Sequence, residues 1–248
     1  MINVKKWLRS GQAETLLGLL FPRRCPVCAE IVEPPGEKIC PACLRSLSPV
    51  REPCCKKCGK EISDRQGEYC PDCMRRPKTF DSGASLLNYN ETARRSMASI
   101  KYKNRREYLD FYAQAMNLRF AKRVRVWGAK ALVPVPIHSS RRRERGFNQA
   151  EELAERLSDY WGIPVDTKLL IRKKKTLPQR DLGPSQRLKN LQEAFDLHSS
   201  VSDKIPESVI IIDDIYTTGS TIEACSRILK KAGVKRIYFL AVCIGKGR

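Results

Sequence analysis

Residues 208–221, SVIIIDDIYTTGST, constrain this chain more than any other stretch. Residues 209–212 are a β-branched apolar run, long enough for a buried parallel strand and too short for a helix. Asp213 and Asp214 stand where such a strand emerges, and Thr217, Thr218, Gly219, Ser220 and Thr221 crowd into the next positions. A helical pattern then begins: Ile222, Cys225, Ile228, Leu229 and Ala232 share one face, and Gly233 is a stop signal. Residues 236–244 read as the next buried strand. A strand–loop–helix–strand unit of this kind implies a parallel sheet with a right-handed crossover.

The loop residues select a ligand class. A helix N-terminus leaves unpaired N–H groups and partial positive charge, which suit an anion such as phosphate. Gly219 allows close approach of the backbone, and the four hydroxyls add donors. The carboxylates repel a bare phosphate but suit sugar hydroxyls, or Mg2+ carried by a phosphorylated ligand. Together they describe a ribose 5-phosphate site at the C-terminal edge of an open α/β sheet. The plain alternative is an acidic turn with Ser/Thr capping, which needs one hydroxyl and neither carboxylate. The string resembles the phosphoribosyl pyrophosphate (PRPP) motif of type I phosphoribosyltransferases. That resemblance implies Asp213 and Asp214 at the ribose and its Mg2+, with residues 217–221 holding the 5-phosphate.

Residues 22–76 hold two cysteine quartets, Cys25-x2-Cys28 with Cys40-x2-Cys43 and Cys55-x2-Cys58 with Cys70-x2-Cys73. Each member of the second lies thirty positions after its counterpart, so the segment is an internal repeat. Pro26, Pro41 and Pro71 directly follow a cysteine, as a tight metal knuckle favours. Four thiolates in paired steps match tetrahedral structural zinc, with no position left for a substrate. Two zinc ions are expected; a single occupied site and a disulfide framework are the alternatives. Cys54 is spare, although it can replace Cys55 with looser spacing. Cys225 and Cys243 read as small buried hydrophobes.

The 47 basic and 27 acidic residues give a formal net charge of +20, with the surplus mostly in residues 81–200. That balance points toward nucleic acid, phosphate-rich ligands or an anionic membrane surface, with general solubility as the plain alternative. No secretory signal is visible, and the densest apolar run, residues 16–21, is too short to span a bilayer. Val4, Trp7, Leu8, Leu16, Leu17 and Leu20 form an apolar stripe beside Lys5, Lys6 and Arg9. It is read as packing on the cysteine module, against the alternative of a membrane or partner surface.

Residues 80–90 read as a strand and turn. One helix follows with Ala93, Met97 and Ile100 inward, and another with Leu109, Tyr112, Ala113, Met116 and Phe120 inward. The basic turn between them, residues 101–106, either touches nucleic acid through Lys101, Lys103 and Arg105 or is a solvated loop. Residues 131–137 read as a strand that leaves the sheet near Pro136. A basic loop then leads into a helix with Ala150, Leu153, Ala154, Leu157 and Trp161 inward. In that loop Arg141, Arg145, Gly146, Asn148 and Gln149 suit pyrophosphate and sugar, while Arg142 and Arg143 are nucleic-acid candidates; a solvated face is the alternative. His138 reads as a turn residue. Residues 169–175 read as a strand running into Lys173, Lys174 and Lys175, further nucleic-acid candidates. A mobile loop around Thr176, Gln179 and Arg180 follows, then a short helix from Ser185 through Phe195.

Taken in order, the cysteine module, Val-Pro-Val-Pro, Arg141-x3-Arg145-Gly146-Phe147-Asn148-Gln149-Ala150, Thr176-x2-Gln179-x7-Arg187-x2-Asn190 and the PRPP motif resemble the competence protein F family. The resemblance spans residues 21–247. It implies an α/β fold, with a type I phosphoribosyltransferase-like parallel sheet flanked by helices and an N-terminal double zinc-ribbon module. The expected divisions are a helical segment 1–21, a zinc module 22–78 and a transferase-like domain 79–248. The family further implies a bacterial cytoplasmic protein, with a place at the inner face of the membrane beside other DNA-uptake proteins. There it handles single-stranded DNA in natural transformation and binds PRPP with Mg2+. The competing expectation is an active transferase moving phosphoribose from PRPP to a base or amine.

Overall fold

The computed structural model describes residues 22–63, 67–173, 193–198 and 205–245. In chain order the elements begin with α1 (Pro41–Ser46), α2 (Pro71–Arg75), β1 (Ser82–Asn88), α3 (Glu91–Lys103), α4 (Tyr108–Trp127) and β2 (Ala131–Pro134). They continue with α5 (Ser139–Arg145), α6 (Gln149–Trp161), β3 (Leu170–Arg172), β4 (Phe195–Leu197), β5 (Ser208–Tyr216), α7 (Ser220–Lys231) and β6 (Arg236–Ile244). By internal contacts the chain divides into Met1–Leu47 and Ser48–Arg248. The second cysteine quartet thus belongs with the sheet, and the division falls inside the module read from sequence as 22–78.

A four-stranded parallel sheet, ordered β1-β6-β5-β2, carries the larger unit. Val209, Ile210, Ile211 and Ile212 are wholly buried, as a central strand covered on both faces requires. Each such side chain contributes about 1.5–3 kcal/mol of apolar burial. β5 does not stop at the apolar run: it stays paired with β6 through Asp213↔Ala241 to Tyr216↔Ile244. The ladder carries the carboxylates into the protein instead of releasing them at its edge. β2 ends at Pro134, two residues before the expected exit, although Val135 N–H still reaches the Ile212 carbonyl at 2.9 Å.

Three expectations give way to local chemistry. α3 runs through Lys101, Tyr102 and Lys103, because the chain turns only at Asn104, which adopts φ 53° and donates to the Ser99 carbonyl. Basic side chains in a last turn also suit the helix dipole. The Arg-rich loop contains a real helix, α5, whose first turn is capped by His138 accepting from Ser140 N–H and which ends at Gly146, φ 78°. Phe195 opens β4, paired antiparallel with Arg172, and does not end a helix. Trp161 is half-buried, its indole N–H donating to Asn117 at 2.9 Å. The loop and helix expected over 174–192, with Lys174, Lys175, Thr176, Gln179, Arg187 and Asn190, lie outside the described residues, as does the stripe in 1–21.

The cysteine repeat is structural as well as textual. In the first knuckle Cys25 N–H donates to Glu30 and Ala29 N–H to Cys25; in the second Cys55 donates to Lys60 and Gly59 to Cys55. Ala29 and Gly59 hold equivalent positions at φ 65° and 72°. Only the second must be glycine: a Cβ on Gly59 would lie 2.7 Å from the Gly83 carbonyl and 2.8 Å from Ala84 Cα, on edge strand β1. The ribbon knuckle thereby covers the sheet edge. Cys55, Cys58 and Cys70 share one buried cluster with Phe80, Tyr216, Ile222 and Phe239. Past the ribbon, Thr79 donates through its N–H (2.8 Å) and hydroxyl (2.7 Å) to Glu223 of α7.

Gly59→Ala and Gly128→Ala should therefore separate in urea unfolding. Both positions have positive φ, but nothing lies within 4 Å of the added methyl at Gly128. We expect Gly59→Ala to lose roughly 1–3 kcal/mol more than Gly128→Ala; equal losses would show that the knuckle does not press on β1.

Candidate phosphoribosyl site and metal centres

Asp213 and Asp214 are consecutive residues of β5, and Asp214 N–H donates to Asp213 Oδ1 at 2.9 Å. Both are buried, at 8% and 4% exposure. Asp214 meets the ammonium of Lys101, from the last turn of α3, in a direct ion pair. Gln149 Nε2, at the start of α6, donates to Asp214 Oδ1 at 3.1 Å. Arg145 Nη1 donates in turn to Gln149 Oε1 at 3.1 Å, and its guanidinium lies 5.1 Å from the Tyr102 ring. Lys101, Asp214, Gln149, Arg145 and Tyr102 therefore form a closed circuit tying α3 to the Arg-rich segment. Asp213 faces the Cys225 and Arg172 side.

The two carboxyls part in acidity. Burial, and then the charge of Asp214, push Asp213 well above the usual carboxylate range. Burial opposes ionisation of Asp214 too, but the Lys101 ammonium and hydrogen bonds from Lys101 and Gln149 overcome it, leaving its pKa lowered. Asn148 spends its amide on structure, donating to the Val135 carbonyl at 3.0 Å and capping α6 at Ala150 N–H. The buried Nε–H of Arg145 has no hydrogen-bond partner among the described residues. Arg141, exposed on α5, adds its positive charge near Arg172.

At the turn beyond β5, Gly219 adopts φ 76° as the N-cap of α7, and a Cβ there would strike the Tyr216 hydroxyl. The Tyr216 ring stacks on Phe239, centroids 4.6 Å apart, and so holds a fixed floor under the loop. Thr218 and Ser220 share a hydroxyl contact of 2.9 Å, while Thr217 and Thr218 are exposed. The first bond to close the helix runs from Glu223 N–H to the Gly219 carbonyl. Among the described residues, the amides of residues 217–221 donate to no backbone acceptor.

The nucleic-acid candidates scatter. Lys101 is buried against Asp214, so it belongs to the carboxylate site and not to an open basic turn. Arg105 pairs with Glu107 at 3.6 Å, Arg142 with Glu151 at 2.9 Å and Lys173 with Asp196 at 2.6 Å. Lys103 and Arg143 are exposed. Sequence reasoning placed Lys101 among the nucleic-acid candidates and not at the carboxylates, and it did not single out Tyr102, Arg172 or Tyr216. The signal for Lys101 was present: it lies one turn beyond Met97 on the same buried face as Ala93 and Ile100.

In each quartet the four sulfurs lie within 4.8 Å of one another. Zinc–thiolate bonds of about 2.3 Å in a tetrahedron place sulfurs about 3.8 Å apart, a spacing compatible with both sets. Hydrogen bonding with Cys58 holds the Cys55 thiol far below its ordinary range, and hydrogen bonding with Cys55 pushes Cys58 far above it. Cys54 stands outside: its thiol donates to the Arg51 carbonyl at 3.1 Å and is pushed up to about 12 by burial and by Glu52. Cys225 and Cys243 are buried, and burial raises both thiols.

Comparison with known proteins agrees with both halves. A double zinc ribbon domain matches residues 16–74 and a phosphoribosyl transferase domain matches residues 143–248. Competence protein F of Haemophilus influenzae is 32% identical over 173 residues, 68% of this chain and 76% of the relative. Competence protein ComFC of Bacillus subtilis is 31% identical over 176 residues, covering 66% and 67%. DNA utilization protein YhgH of Salmonella typhimurium is 27% identical over 177 residues, covering 70% and 77%. Among solved structures, the purine phosphoribosyltransferase of Pyrococcus horikoshii OT3 aligns at 21% identity and a TM-score of 0.33, covering 54% of this chain and 73% of that one. With a parallel sheet flanked by helices and two four-cysteine zinc centres, the chain belongs to the competence protein F family.

Proposed function

We propose that this protein handles single-stranded DNA during natural transformation and that its sheet edge binds PRPP with Mg2+. The carrying observation is the row of amides at residues 217–221, which donate to no backbone acceptor among the described residues, opening beside a carboxylate pair already matched by Lys101. An anion is favoured at those amides and a neutral, hydroxyl-rich group at the carboxylates. The 5-phosphate sits on residues 217–221, with Gly219 admitting the backbone contact, and the ribose hydroxyls donate to Asp213 and Asp214. Arg145 and Arg141 face the diphosphate; Gly146 lets the chain turn there. Gln149 orients Arg145 against Asp214, and Asn148 fixes the start of α6. With Lys101 resident at the carboxylates, Mg2+ travels on the ligand's diphosphate oxygens, where it offsets their charge. The DNA half draws on the net charge of +20 and on relatives named for competence and DNA utilization.

A second reading, an active phosphoribosyltransferase, is favoured by the basic groups over the diphosphate. In that chemistry positive charge develops at the sugar carbon as diphosphate leaves, and the protein's work is positioning and charge stabilisation. Asp213 and Asp214 would hold the ring while Arg145 and Arg141 receive the leaving group.

Calorimetry of PRPP with Mg2+ decides whether the site is alive. Wild type should bind, and Asp213→Ala/Asp214→Ala should weaken binding by about 10- to 100-fold, the loss of one or two charge-assisted hydrogen bonds. Equal affinity in the two proteins would sink the sugar assignment. If PRPP binds but no diphosphate is released with a panel of bases and amines, the ligand is a regulator and the transferase reading fails. Affinity for labelled single strands should fall steeply between two salt concentrations, because phosphate neutralisation releases counterions; binding indifferent to salt counts against the DNA assignment.

A further inference from the structure

In the basic segments that stand out in the sequence, Lys101, Arg105, Arg142 and Lys173 hold acidic partners while Lys103, Arg141 and Arg143 stay exposed, and a further exposed set lies on α4. From residue 111 to the end of α4 there is no Asp or Glu, yet Arg119, Lys122, Arg123 and Arg125 fall within the helix's last nine positions. All four are exposed. Among the described residues none of them lies within ion-pair distance of a carboxylate; Arg119 instead donates to the Val50 carbonyl. Elsewhere Arg94, Arg106, Arg142, Arg156, Arg227 and Lys235 each hold an acidic partner. Arg119, Lys122, Arg123 and Val126 follow at positions i, i+3, i+4 and i+7, and so share one face.

That face borders two openings. A cleft of about 560 Å³ is lined by Arg123, Lys56, Glu52, Glu68, Ser82 and Gly83. A smaller one of about 190 Å³ is lined by Arg119, Arg123 and Ser85. The Ser85 hydroxyl, in a residue 2% exposed, has no hydrogen-bond partner among the described residues. Arg123 stands between the two. Lys56 is occupied by Glu68, and Glu52 adds one negative charge at the ribbon side, so the surplus lies along the helix.

We propose that the outer face of α4, with the cleft beside it, is a second polyanion site: the docking track for the phosphate backbone of a nucleic-acid strand, distinct from the PRPP site. It deepens the DNA half of the proposed function and rests on that reading for the class of its ligand. Four unneutralised cations on one rigid helix create an attractive field for a polyanion, and the cleft admits backbone beyond the side-chain heads. A lipid surface fits less well. α4 has already buried its apolar face, with Leu109, Tyr112, Met116 and Phe120 in the core, so only Leu118 and Val126 remain to insert. No aromatic ring is exposed among residues 118–126, so contacts are to phosphate and carry no base preference.

The test compares Lys122→Glu/Arg123→Glu/Arg125→Glu with Lys103→Glu/Arg143→Glu, the exposed candidates elsewhere. Anisotropy of a labelled oligo-dT strand is read across a salt series for both and for wild type, with PRPP calorimetry and a melting curve on each. The helix variant should bind about tenfold or more weakly, with its salt slope reduced by roughly 2 for three lost phosphate contacts, and with PRPP binding and melting unchanged. Wild-type DNA affinity in the helix variant, with loss in the Lys103/Arg143 variant, overturns the track while leaving the DNA reading intact. No DNA binding by wild type defeats both. Binding of wild type to anionic lipid vesicles but not to the strand would reassign the face and overturn the proposal.

Discussion

A carboxylate buried at the end of a central strand is the constraint on which the site depends. Asp214 has left water almost completely, and an ion in such a place without a partner costs several kcal/mol. Lys101 supplies the partner, which requires α3 to continue a full turn past Met97 and bring its last residues over β5. The same turn then delivers Tyr102 to Arg145, and Arg145 to Gln149. The ion pair therefore locates three elements, α3, α6 and β5, around one edge of the sheet. Asp213 meets the problem differently: facing no cation as close, it is held toward its neutral form. A carboxyl shifted toward its neutral form beside a matched ion pair makes a surface that favours hydroxyl groups over bare ions.

The second ribbon is more than an appendage to this edge. Three of its sulfurs pack in the cluster that contains Phe80, Tyr216 and Phe239. Tyr216 is also the floor against which Gly219 closes, so the loop's backbone position depends on a ring wedged between the cysteines and the phosphate turn. Glu223 adds a second tie, accepting from Thr79 on one side and Arg227 on the other within the first turns of α7. Four thiols gathered this closely are arranged for a metal, which binds them as thiolates and fixes their sulfurs. Zinc in that quartet consolidates the packing that shapes the loop. No such tie follows for the first quartet, in the separate unit Met1–Leu47.

What the sequence made legible was whatever depends on local pattern. β6 has the bounds its apolar run predicts, and α7 buries Ile222, Cys225 and Leu229 as helical spacing requires. The thirty-residue repeat maps onto two knuckles with the same hydrogen bonds. The misreadings share a cause, which is polar residues recruited by tertiary partners. Lys101 looks like part of a solvated basic turn until Asp214, more than a hundred positions later, is brought to it. β5 seems to end at Ile212 because two carboxylates rarely continue a buried strand, and only their compensation permits it. The Arg-rich segment lacks apolar periodicity, so nothing in its pattern announces α5; capping by His138 and Gly146 produces the helix.

Charge placement follows the same logic in reverse. A sequence reports how many basic residues lie close together, but the field at a surface depends on which of them keep acidic neighbours. Arg142, in the densest basic run, faces Glu151 one helix away, and Lys173 faces Asp196 across a two-stranded ribbon. Each pair folds a conspicuous charge into a local dipole whose reach is about one Debye length or less. The cations of α4 are less conspicuous in sequence, being interleaved with Leu118, Phe120, Val124 and Val126, yet the fold sets no carboxylate of the described residues in ion-pair range. Their field adds along the helix axis instead of cancelling. Pairing at Lys101, Arg142 and Lys173 and surplus along α4 therefore arise from one chain with one net charge, and the fold, through its ion pairs, shapes where a polyanion is attracted.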